Sequence, residues 1–555
     1  HTACNIELLE ARIAPAILLV TNLTDVSSGN PHDLDLREAI TNSHAGDMIN
    51  FKLPAGSGPH TIVLGGTELP VIAHKLAITG PGAGKIIIDG NGASRIFDVT
   101  DGSNATDSPV SISGLALIHG NGAGTVGNGF GGAIYSLESL TLKRCIISGN
   151  TSTNSGGGVL ASTYTTGSKM SVSNCLISAN KVNSSGDGGG LNLRADKSVV
   201  LSGSTIISNT ATSEGGGTKI MVDSGTATIS HTLISGNTSK GFGGGLFVAD
   251  YGTVGSKVVI RSTNISGNSV TNAGDKGGGL YLAQGNFLLA GDTIRGNAAV
   301  LGGGGIEATQ ATSLRITGGT IAGNTVSGGT GGGLDISGGP HPLIISGAHI
   351  TDNDASGNGG GVYLNNGGVI ELIGAFIDGN TSGDRGGGLY DQGSTSTSIF
   401  GGEFANNASQ GTGGGFDILG GASVDLHATK ITGNFAKGNS GGGYLGASSS
   451  ITALSVIVSG NQTNSRGGGL EFGGTGAFSV KGGAFIGNHA VSGGGVYLNS
   501  ALHGTITSSK ITGNASDNTG GGIYQAAGGT VTLGSGEAAL ITGNVALTDP
   551  DRHGI

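Results

Sequence analysis

The sequence predicts an all-β fold, a right-handed parallel β-helix with about 27–30 residues per coil and a short helix-containing N-terminal cap. Three observations predict it. The 555 residues include 115 glycines, yet 36% are hydrophobic, which is enough to bury a core. An asparagine recurs every 26 to 31 residues, and a glycine triplet followed by an apolar-x-apolar segment recurs with the same period. Such a period indicates a repeat architecture.

The recurring asparagine marks one position of each repeat. Ile, Val or Phe stands three residues before every one, and the residue five before is nearly always small, which is strand alternation. A buried Asn on every coil can bond its amide to the same Asn above and below. We therefore predict a structural asparagine ladder of Asn150, Asn180, Asn209, Asn237, Asn268, Asn297, Asn324, Asn353, Asn380, Asn407, Asn434, Asn461, Asn488, Asn514 and Asn544. Asn121 has the same spacing and would begin the ladder.

The glycine triplet marks the second strand of each repeat. It occurs 14 times, from Gly156 to Gly522, and Gly-Gly-Ala at 131–133 is a fifteenth variant. The repeat contains no helix long enough for a βαβ crossover, so each period forms one coil. Coils stacked at about 4.8 Å give a rod roughly 72 Å long between the first and last asparagine. The six-residue period of left-handed helices is absent, which favours the right-handed form.

The predicted organisation has four parts. They are an N-terminal segment and cap at 1–50, first coils at 51–120, regular glycine-rich repeats at 121–548, and a C-terminal tail at 549–555. Within the cap, Asp33 to Asn42 has the pattern of a short helix with Asp33 as its N-cap. Placed before the first coil, it would cover an open end of the core.

Two families resemble parts of the chain. Gly131 to Ile134 (GGAI) and Phe404 to Asn407 (FANN) resemble the GGA-I and F-x-x-N repeats of polymorphic outer membrane proteins, which are β-helical autotransporter passengers. LDLREAI (34–40), GDMINF (46–51) and the segment 78–99 resemble the CSLREA-type module of large secreted bacterial β-helix proteins, with Leu34 and Asp35 in place of Cys and Ser. LLEARIAPA (8–16) resembles segments near the start of giant surface proteins. These resemblances imply a secreted bacterial surface protein.

The composition and charge of the chain limit the classes of partner that we expect. The net charge is −10 without a basic cluster, which argues against a nucleic-acid surface or an anionic membrane as the partner. No run of about 18 apolar residues exists, so we expect no transmembrane segment. The first residue is His rather than Met, and a signal peptide could have been removed before it. We therefore expect an extracellular or cell-surface location.

The middle residue of the strand after each triplet is expected to face solvent. Six of the nine tyrosines occupy this position. We call one section of it the acidic–tyrosine stripe: Tyr281, Glu307, Asp335, Tyr363, Tyr390 and Asp417. Exposed Tyr and carboxylates would suit glycan binding. Carboxylates stacked at about 5 Å would suit a retaining glycosidase, with Glu307, Asp335 and Asp417 as catalytic candidates. The stripe contains no Lys or Arg paired with them to bind an acidic sugar. Cross-strand stacking explains the tyrosines equally well.

Cysteines and aspartates offer further candidates. Cys145 and Cys175 each lie five residues before a ladder asparagine, so they would be neighbours, either bonded as a disulfide or present as two small buried hydrophobic residues. Turn aspartates such as Asp187, Asp275 and Asp384 could take up Ca²⁺ opportunistically, but they share no register. We expect no cofactor and no dedicated metal site.

Two motifs resemble catalytic sequences without their context. GNSGG at 438–442 resembles a serine-protease nucleophile loop, but Ser440 stands just before a triplet, at a position that varies freely among repeats. GPGAGK at 80–85 is one residue short of a phosphate loop, and the pattern predicts a strand after it. Both are expected to be turns.

The function expected from the sequence is a non-catalytic structural or adhesin-like rod. Its expected partners are copies of itself, joined end to end into fibres, and surface glycans. The alternative is a polysaccharide-binding or polysaccharide-degrading enzyme that uses the acidic–tyrosine stripe.

Overall fold

The chain forms a right-handed parallel β-helix of about 19 coils. The computed structural model describes residues 15–30, 32–53, 58–252, 256–338, 342–365, 367–419, 421, 423–446, 450–474, 476–499, 502–535 and 540–555. Cys4 and most of the LLEARIAPA segment lie outside the described residues. Every strand pair is parallel, as a coil that returns to the same side requires.

One coil shows how the sequence builds the repeat. Val369–Ile373 lies in a first sheet, A, and Phe376–Asp378 lies in sheet B. Asn380 then turns the corner into the two-residue strand Thr381–Ser382 of sheet D. A turn and the glycine triplet lead to Leu389–Asp391 in sheet C. Buried and outward residues alternate along the strands of sheets A and B.

Sheets A and B supply two walls of the rod. Sheet A consists of Ile17–Val20, Met48–Phe51, Leu76–Thr79, Val110–Ser113, Leu140–Lys143, Lys169–Ser173, Ser198–Ser202, Thr226–Ser230, Lys257–Arg261, Gly285–Ala290, Ala311–Thr317, Leu343–Ser346, Val369–Ile373, Ser396–Phe400, Ser423–His427, Ser450–Leu454, Ala477–Lys481, His503–Thr507 and Thr530–Leu533. Sheet B consists of His60–Val63, Ile86–Asp89, Ala116–Ile118, Ile146–Ser148, Leu176–Ser178, Thr205–Ile207, Leu233–Ser235, Asn264–Ser266, Thr293–Arg295, Thr320–Ala322, His349–Thr351, Phe376–Asp378, Glu403–Ala405, Lys430–Thr432, Ile457–Ser459, Ala484–Ile486, Lys510–Thr512 and Ile541–Thr542.

Sheets C and D complete each coil. Sheet C consists of Phe97–Val99, Ile134–Ser136, Val159–Ser162, Leu191–Ala195, Thr218–Val222, Leu246–Asp250, Leu280–Leu282, Ile306–Thr309, Leu334–Ser337, Val362–Asn365, Leu389–Asp391, Phe416–Ile418, Gly443–Leu445, Leu470–Phe472, Val496–Leu498, Ile523–Gln525 and Arg552–His553. Sheet D consists of Thr151–Ser152, Lys181–Val182, Thr210–Ala211, Thr238–Ser239, Ser269–Val270, Ala298–Ala299, Thr325–Val326, Asp354–Ala355, Thr381–Ser382, Ala408–Ser409, Phe435–Ala436, Gln462–Thr463, His489–Ser492 and Ala515–Thr519.

A short helix precedes the second strand of sheet A, as the sequence predicts, but it is shorter than expected. It spans Leu36–Thr41, and its N-cap is Asp35 rather than Asp33. Asp35 accepts a hydrogen bond from the Glu38 amide, and Glu38 bonds back to the Asp35 amide, which completes a capping box. The helix buries Leu36 and Ile40 in the same core as the first coils.

One hydrophobic core runs through the molecule, from Val20 in the first strand of sheet A to Ile541 in the last strand of sheet B. It crosses the boundaries predicted at 50/51 and at 120/121. The segment 549–555, predicted as a tail, contributes a further partial coil, because Arg552–His553 pairs with Ile523–Tyr524. No helix in the described part of the chain is both long and apolar enough to cross a membrane.

The asparagine ladder lies inside this core, and its hydrogen bonds are fully shared between coils. The Nδ2 of Asn461 donates to Oδ1 of Asn488 at 2.9 Å and to the Ile431 carbonyl at 2.8 Å. Its own Oδ1 accepts from both the backbone N–H and Nδ2 of Asn434, each at 2.9 Å. The same pattern repeats from Asn150 onward. Since every amide atom is paired, burial of the side chains carries little penalty.

The two ends of the ladder differ from the prediction. Asn121 is not a member, because Ile147 pairs with Leu117, so the residue opposite Asn150 is Gly120. Gly120 donates its backbone N–H to Asn150 Oδ1 at 2.8 Å, whereas Asn121 donates its side chain to the Gly92 carbonyl. At the other end, Asp551 replaces the next asparagine. Its Oδ1 accepts from Asn544 Nδ2 at 3.0 Å.

The glycine triplets are required by the close approach of successive coils. In the triplet 386–388, Gly386 has a φ of +63°, which side-chain-bearing residues seldom adopt. A Cβ added to Gly388 would lie 2.4 Å from the Gly415 carbonyl oxygen on the next coil and 3.1 Å from Asn407 Cγ. The triplet therefore lets the backbone of sheet C approach both the ladder and the next coil.

Replacing one ladder asparagine should destabilise the rod markedly. Asn461→Ala leaves two donors of Asn434 and the Ile431 carbonyl unpaired in the core. Each buried polar group left unpaired costs about 1–3 kcal/mol, so we expect at least ~2 kcal/mol of lost stability. Guanidinium unfolding followed by circular dichroism measures it. Asn464→Ala, in the exposed turn of the same coil, is the control and should change the midpoint little; equal midpoints for the two variants would contradict a stabilising ladder.

A methyl group at the third triplet glycine should also be costly. Gly388→Ala forces the backbones of two coils apart, and overpacking of this kind costs about 1–3 kcal/mol. Gly274→Ala is the matched control, because a Cβ there meets no atom within 4 Å. Thermal unfolding of both variants tests the expectation, which fails if Gly388→Ala melts at the wild-type temperature.

Candidate functional site

The structure brings the acidic–tyrosine stripe together in the predicted order. Tyr281 pairs with Glu307, and Glu307 pairs with Asp335, on successive strands of sheet C. Asp335 then pairs with Tyr363, Tyr363 with Tyr390, and Tyr390 with Asp417. The six residues therefore form one continuous column.

The expectation that this column faces solvent is wrong. Glu307 and Asp417 are 0% exposed and Asp335 is 1% exposed, while Tyr281 and Tyr390 are also buried. Tyr363 alone among the six is half-buried. The cause is the polar turn between the asparagine and the triplet, which folds back over sheet C. A Cβ added to Gly302 in this turn would lie 2.9 Å from both Glu307 Oε2 and Asp335 Oδ2.

Residues of that turn pair with the stripe. Lys276 Nζ lies 2.7 Å from Glu307 Oε1, and Arg385 Nε lies 2.7 Å from Asp417 Oδ2. Both cations stand immediately before a glycine triplet, at the position that the sequence pattern presents as freely variable. The expectation that the acidic residues lack a paired Lys or Arg is therefore wrong. The sequence does contain a signal for this pairing. A basic residue stands immediately before a glycine triplet, and an acidic residue of the stripe lies on the next coil.

Ser440 also stands immediately before a glycine triplet and pairs with an acidic residue of sheet C. Its Oγ donates to Glu471 Oε2 at 2.7 Å, and Arg466 Nε lies 3.0 Å from Glu471 Oε1. Ser440 is buried, and His74 bonds instead to Ser43 near the other end of the rod. Ser440 thus anchors a turn on sheet C. The segment after GPGAGK is the strand Ile86–Asp89, as expected for a turn rather than a phosphate loop.

The Glu307–Asp335 pair has fewer donors than its two carboxyl groups need. Glu307 Oε2 and Asp335 Oδ1 have no hydrogen-bond partner among the described residues, and Lys276 is the cation that serves both. Burial, and for Glu307 also the neighbouring Asp335 carboxylate, raises the pKa of each carboxyl, and Lys276 opposes the rise. The pair retains a proton where isolated carboxyls would have lost it.

Asp417 is a second buried carboxyl of this kind. Burial raises its pKa to about 7, against the opposing charge of Arg385. The guanidinium of Arg385 also lies 5.6 Å from the Tyr390 ring centroid, and Tyr390 stacks on Tyr363 at 5.6 Å. The tyrosines of the stripe thus pack on each other and on the turn.

What the stripe can do chemically follows from this enclosure. General acid catalysis needs a carboxyl within hydrogen-bond reach of the substrate oxygen. Glu307, Asp335 and Asp417 lie beneath their turns, so a polysaccharide on the surface cannot reach them without displacing those turns. The arrangement supports a structural role for the buried carboxyls.

Sequence inspection missed a buried arginine cluster near the first coils. Arg95 lies 3.1 Å from Glu68 Oε2 and 3.4 Å from Asp98 Oδ2. Its guanidinium also donates to backbone carbonyls of the loop at 122–130, and its centre lies 4.9 Å from the Tyr135 ring centroid. Burial raises the pKa of Asp98 to about 6 despite Arg95. Arg95 therefore fastens a glycine-rich loop over sheet C.

The remaining residues singled out in the sequence are the cysteine pair and the turn aspartates. Cys145 and Cys175 are neighbours in the core as predicted, and they are free thiols, with the Cys145 N–H 3.4 Å from Cys175 Sγ. Within the described ranges, no group of three His, Cys, Asp or Glu residues is placed to hold a metal ion. The turn aspartates Asp187 and Asp384 lie on different coils, and Asp187 pairs with Lys219.

The comparison with protein-family models agrees with the fold. Residues 107–294, about a third of the chain, match the family model of the right-handed β-helix region. No curated protein matches the chain. Among solved structures, that of the PL6 family alginate lyase AlyGC is 10% identical, with 96% of this chain and 100% of that chain covered at a TM-score of 0.23. A similarity this low carries no argument about fold or activity.

The buried pair gives a testable pH dependence. Because the folded-state pKa of Glu307 lies above its ordinary value of 4.5, the native protein holds a proton that the unfolded chain releases, and stability falls as pH rises above 4.5. Glu307→Gln removes this titration and keeps an acceptor for Lys276. We expect the variant to be more stable than wild type at pH 9 and close to it at pH 4, in thermal melts across that range.

The control for this experiment is Glu371→Gln, at a half-buried outward position of sheet A. It should follow the wild-type profile. If Glu307→Gln keeps the full wild-type loss of stability at alkaline pH, the buried pair does not hold the proton.

Proposed function

We propose that the chain is a non-catalytic, adhesin-like or structural rod at an extracellular surface. The observation that carries this proposal is the burial of Glu307, Asp335 and Asp417, the acids that an enzymatic function would need. Each instead pairs with a residue that precedes a glycine triplet and so holds a turn against sheet C, namely Lys276, Thr330 and Arg385.

The construction of the rod supports the proposal. A single core and an asparagine ladder run through nearly all coils, which gives a long stiff body rather than a cleft between domains. The outward positions of sheet B are mostly small or polar, so they present a broad face to other molecules. The resemblance of GGAI and FANN to passenger repeats suits a secreted bacterial surface protein.

End-to-end association belongs to the same proposal. In the described part of the chain, Ile17–Val20 and Thr530–Leu533 each pair with a neighbouring strand of sheet A on one side only. Such edges are templates for further pairing. Exposed apolar side chains occur in the first and last coils, with Ile17 65% exposed and Leu547 81% exposed. A contact between unlike ends does not close and so builds fibres.

The non-catalytic role is tested by cleavage assays. The full chain is incubated with neutral and uronate-containing polysaccharides, and reducing ends and unsaturated products are measured. We expect no product with any of them. Product formation that Glu307→Gln or Asp335→Asn abolishes would establish the enzymatic alternative.

Association is tested by light scattering and electron microscopy over a range of concentrations. We expect the mean particle length to increase with concentration, and Leu547→Asp to shorten the particles by removing apolar contact at one end. Monomers at every concentration would overturn the end-to-end contact while leaving the rod itself intact.

A further inference from the structure

A groove of about 300 Å³ lies on the outward face of sheet B, across three successive coils. It is lined by His349, Thr351, Phe376, Asp378, Glu403, Ala405 and Asn406. The groove belongs to a different sheet from the acidic–tyrosine stripe, and both residues of its aromatic wall, His349 and Phe376, are exposed. Its volume is at the lower end of the range for small-molecule pockets, about 300–1,000 Å³.

One wall of the groove is an exposed aromatic pair. The His349 and Phe376 rings stack at 4.9 Å with an interplanar angle of 8°. Phe376 remains 41% exposed in spite of this stack. On the next coil Glu403 lies opposite Phe376 and the small Ala405 lies opposite Asp378, which leaves space diagonal to the ring. The pair therefore presents an apolar edge and face next to open space, as a sugar ring requires.

The other side of the groove supplies hydrogen-bonding groups. Asn406 Nδ2 donates to Asp378 Oδ1 at 3.0 Å, and Thr432 Oγ1 donates to Glu403 Oε1 at 2.9 Å. Each of these bonds uses one oxygen of its carboxylate and fixes its orientation. Two oriented carboxylates opposite an aromatic wall match the hydroxyl groups of a sugar.

The charge of the lining selects among glycans. Asp378 and Glu403 line the groove, and no Lys or Arg does so. Lys430 is the neighbour of Glu403 in the sheet register but does not line the groove. Uronate carboxylates would meet like charge here, whereas uncharged sugars would not.

A second aromatic contact lies on the adjacent sheet A, close to the same coils. Phe400, three residues before Glu403, is 42% exposed and packs on His427 with ring centroids 5.1 Å apart. Ile373 is exposed three residues before Phe376. The surface of sheet A next to the groove, where a longer ligand would extend, is therefore also partly apolar.

We propose that this groove is a binding site for neutral glycan, with Phe376 as the stacking residue and Asp378 and Glu403 as hydroxyl acceptors. The site gives the rod its adhesive surface, and in this sense the inference rests on the proposed adhesin-like function. It assigns the binding of sugar to sheet B and not to the stripe in sheet C.

The test is isothermal titration of the full chain with cellohexaose, laminarihexaose and mannohexaose as neutral probes and with hexagalacturonate as the acidic probe. We expect at least one neutral hexaose to bind and hexagalacturonate to bind at least tenfold more weakly. Phe376→Ala and Glu403→Ala should each weaken the neutral interaction at least tenfold. Tyr164→Ala, which removes a 65% exposed aromatic residue away from the groove, is the matched control and should bind as wild type.

The outcomes separate this inference from the proposed function. Absence of binding by all three neutral probes, unchanged binding in Phe376→Ala, or tighter binding of hexagalacturonate would each overturn the neutral-glycan site. Circular dichroism of each variant confirms that it is folded. Release of shorter sugars from a bound probe would instead overturn the non-catalytic function, since binding alone leaves the hexaose intact.

Discussion

The hydrogen bond between stacked asparagine amides is the constraint on which the rest of the rod depends. A buried amide is satisfied only if an identical amide lies at the same place on the next coil, so Asn and the apolar residue three positions before it cannot shift relative to each other. Variation in coil length is therefore confined to the turns. Nine positions separate Asn268 from Gly277, but only five separate Asn488 from Gly493. The length and sequence of each turn then determine which outward side chains of sheet C remain exposed to solvent.

Much of the fold could be predicted because the residues that recur with its period, the ladder asparagines and the triplet glycines, each meet one fixed steric requirement. The triplets and the ladder from Asn150 to Asn544 predict the coil, its strands and the order of the stripe. Asn121 shows where periodicity is insufficient, since Gly120 and Asn121 are adjacent and spacing cannot distinguish them. Only the pairing of Ile147 with Leu117 does so. Likewise, Asp33 and Asp35 both suit an N-cap, and the reciprocal bond with Glu38 selects Asp35.

The candidate site was harder to predict, for a different physical reason. Strand alternation tells which residues point away from the core but not whether another segment covers them. Glu307 points outward from its strand and is nevertheless fully buried, because Lys276 and the turn containing Gly302 lie over it. The groove at Phe376 was missed because no repeat position marks it. It arises because the large His349 and Phe376 lie on two successive coils, and the small Ala405 on the third coil lies diagonal to the Phe376 ring.

The ladder also has a direction. One hydrogen of each ladder Nδ2 donates to the amide oxygen of the following coil, and the other donates to a backbone carbonyl of the preceding coil. Each amide oxygen accepts from the preceding coil, so the amide dipoles share a component along the rod, with their positive ends toward the C-terminal coil. Aligned dipoles in a low-dielectric interior polarise one another, as peptide units do in a helix. Asp551 stands at that positive end and accepts from Asn544 with a carboxylate, which has no proton to donate onward. The rod thus carries an electrical polarity of its own, and a carboxylate compensates it as an acidic N-cap compensates a helix.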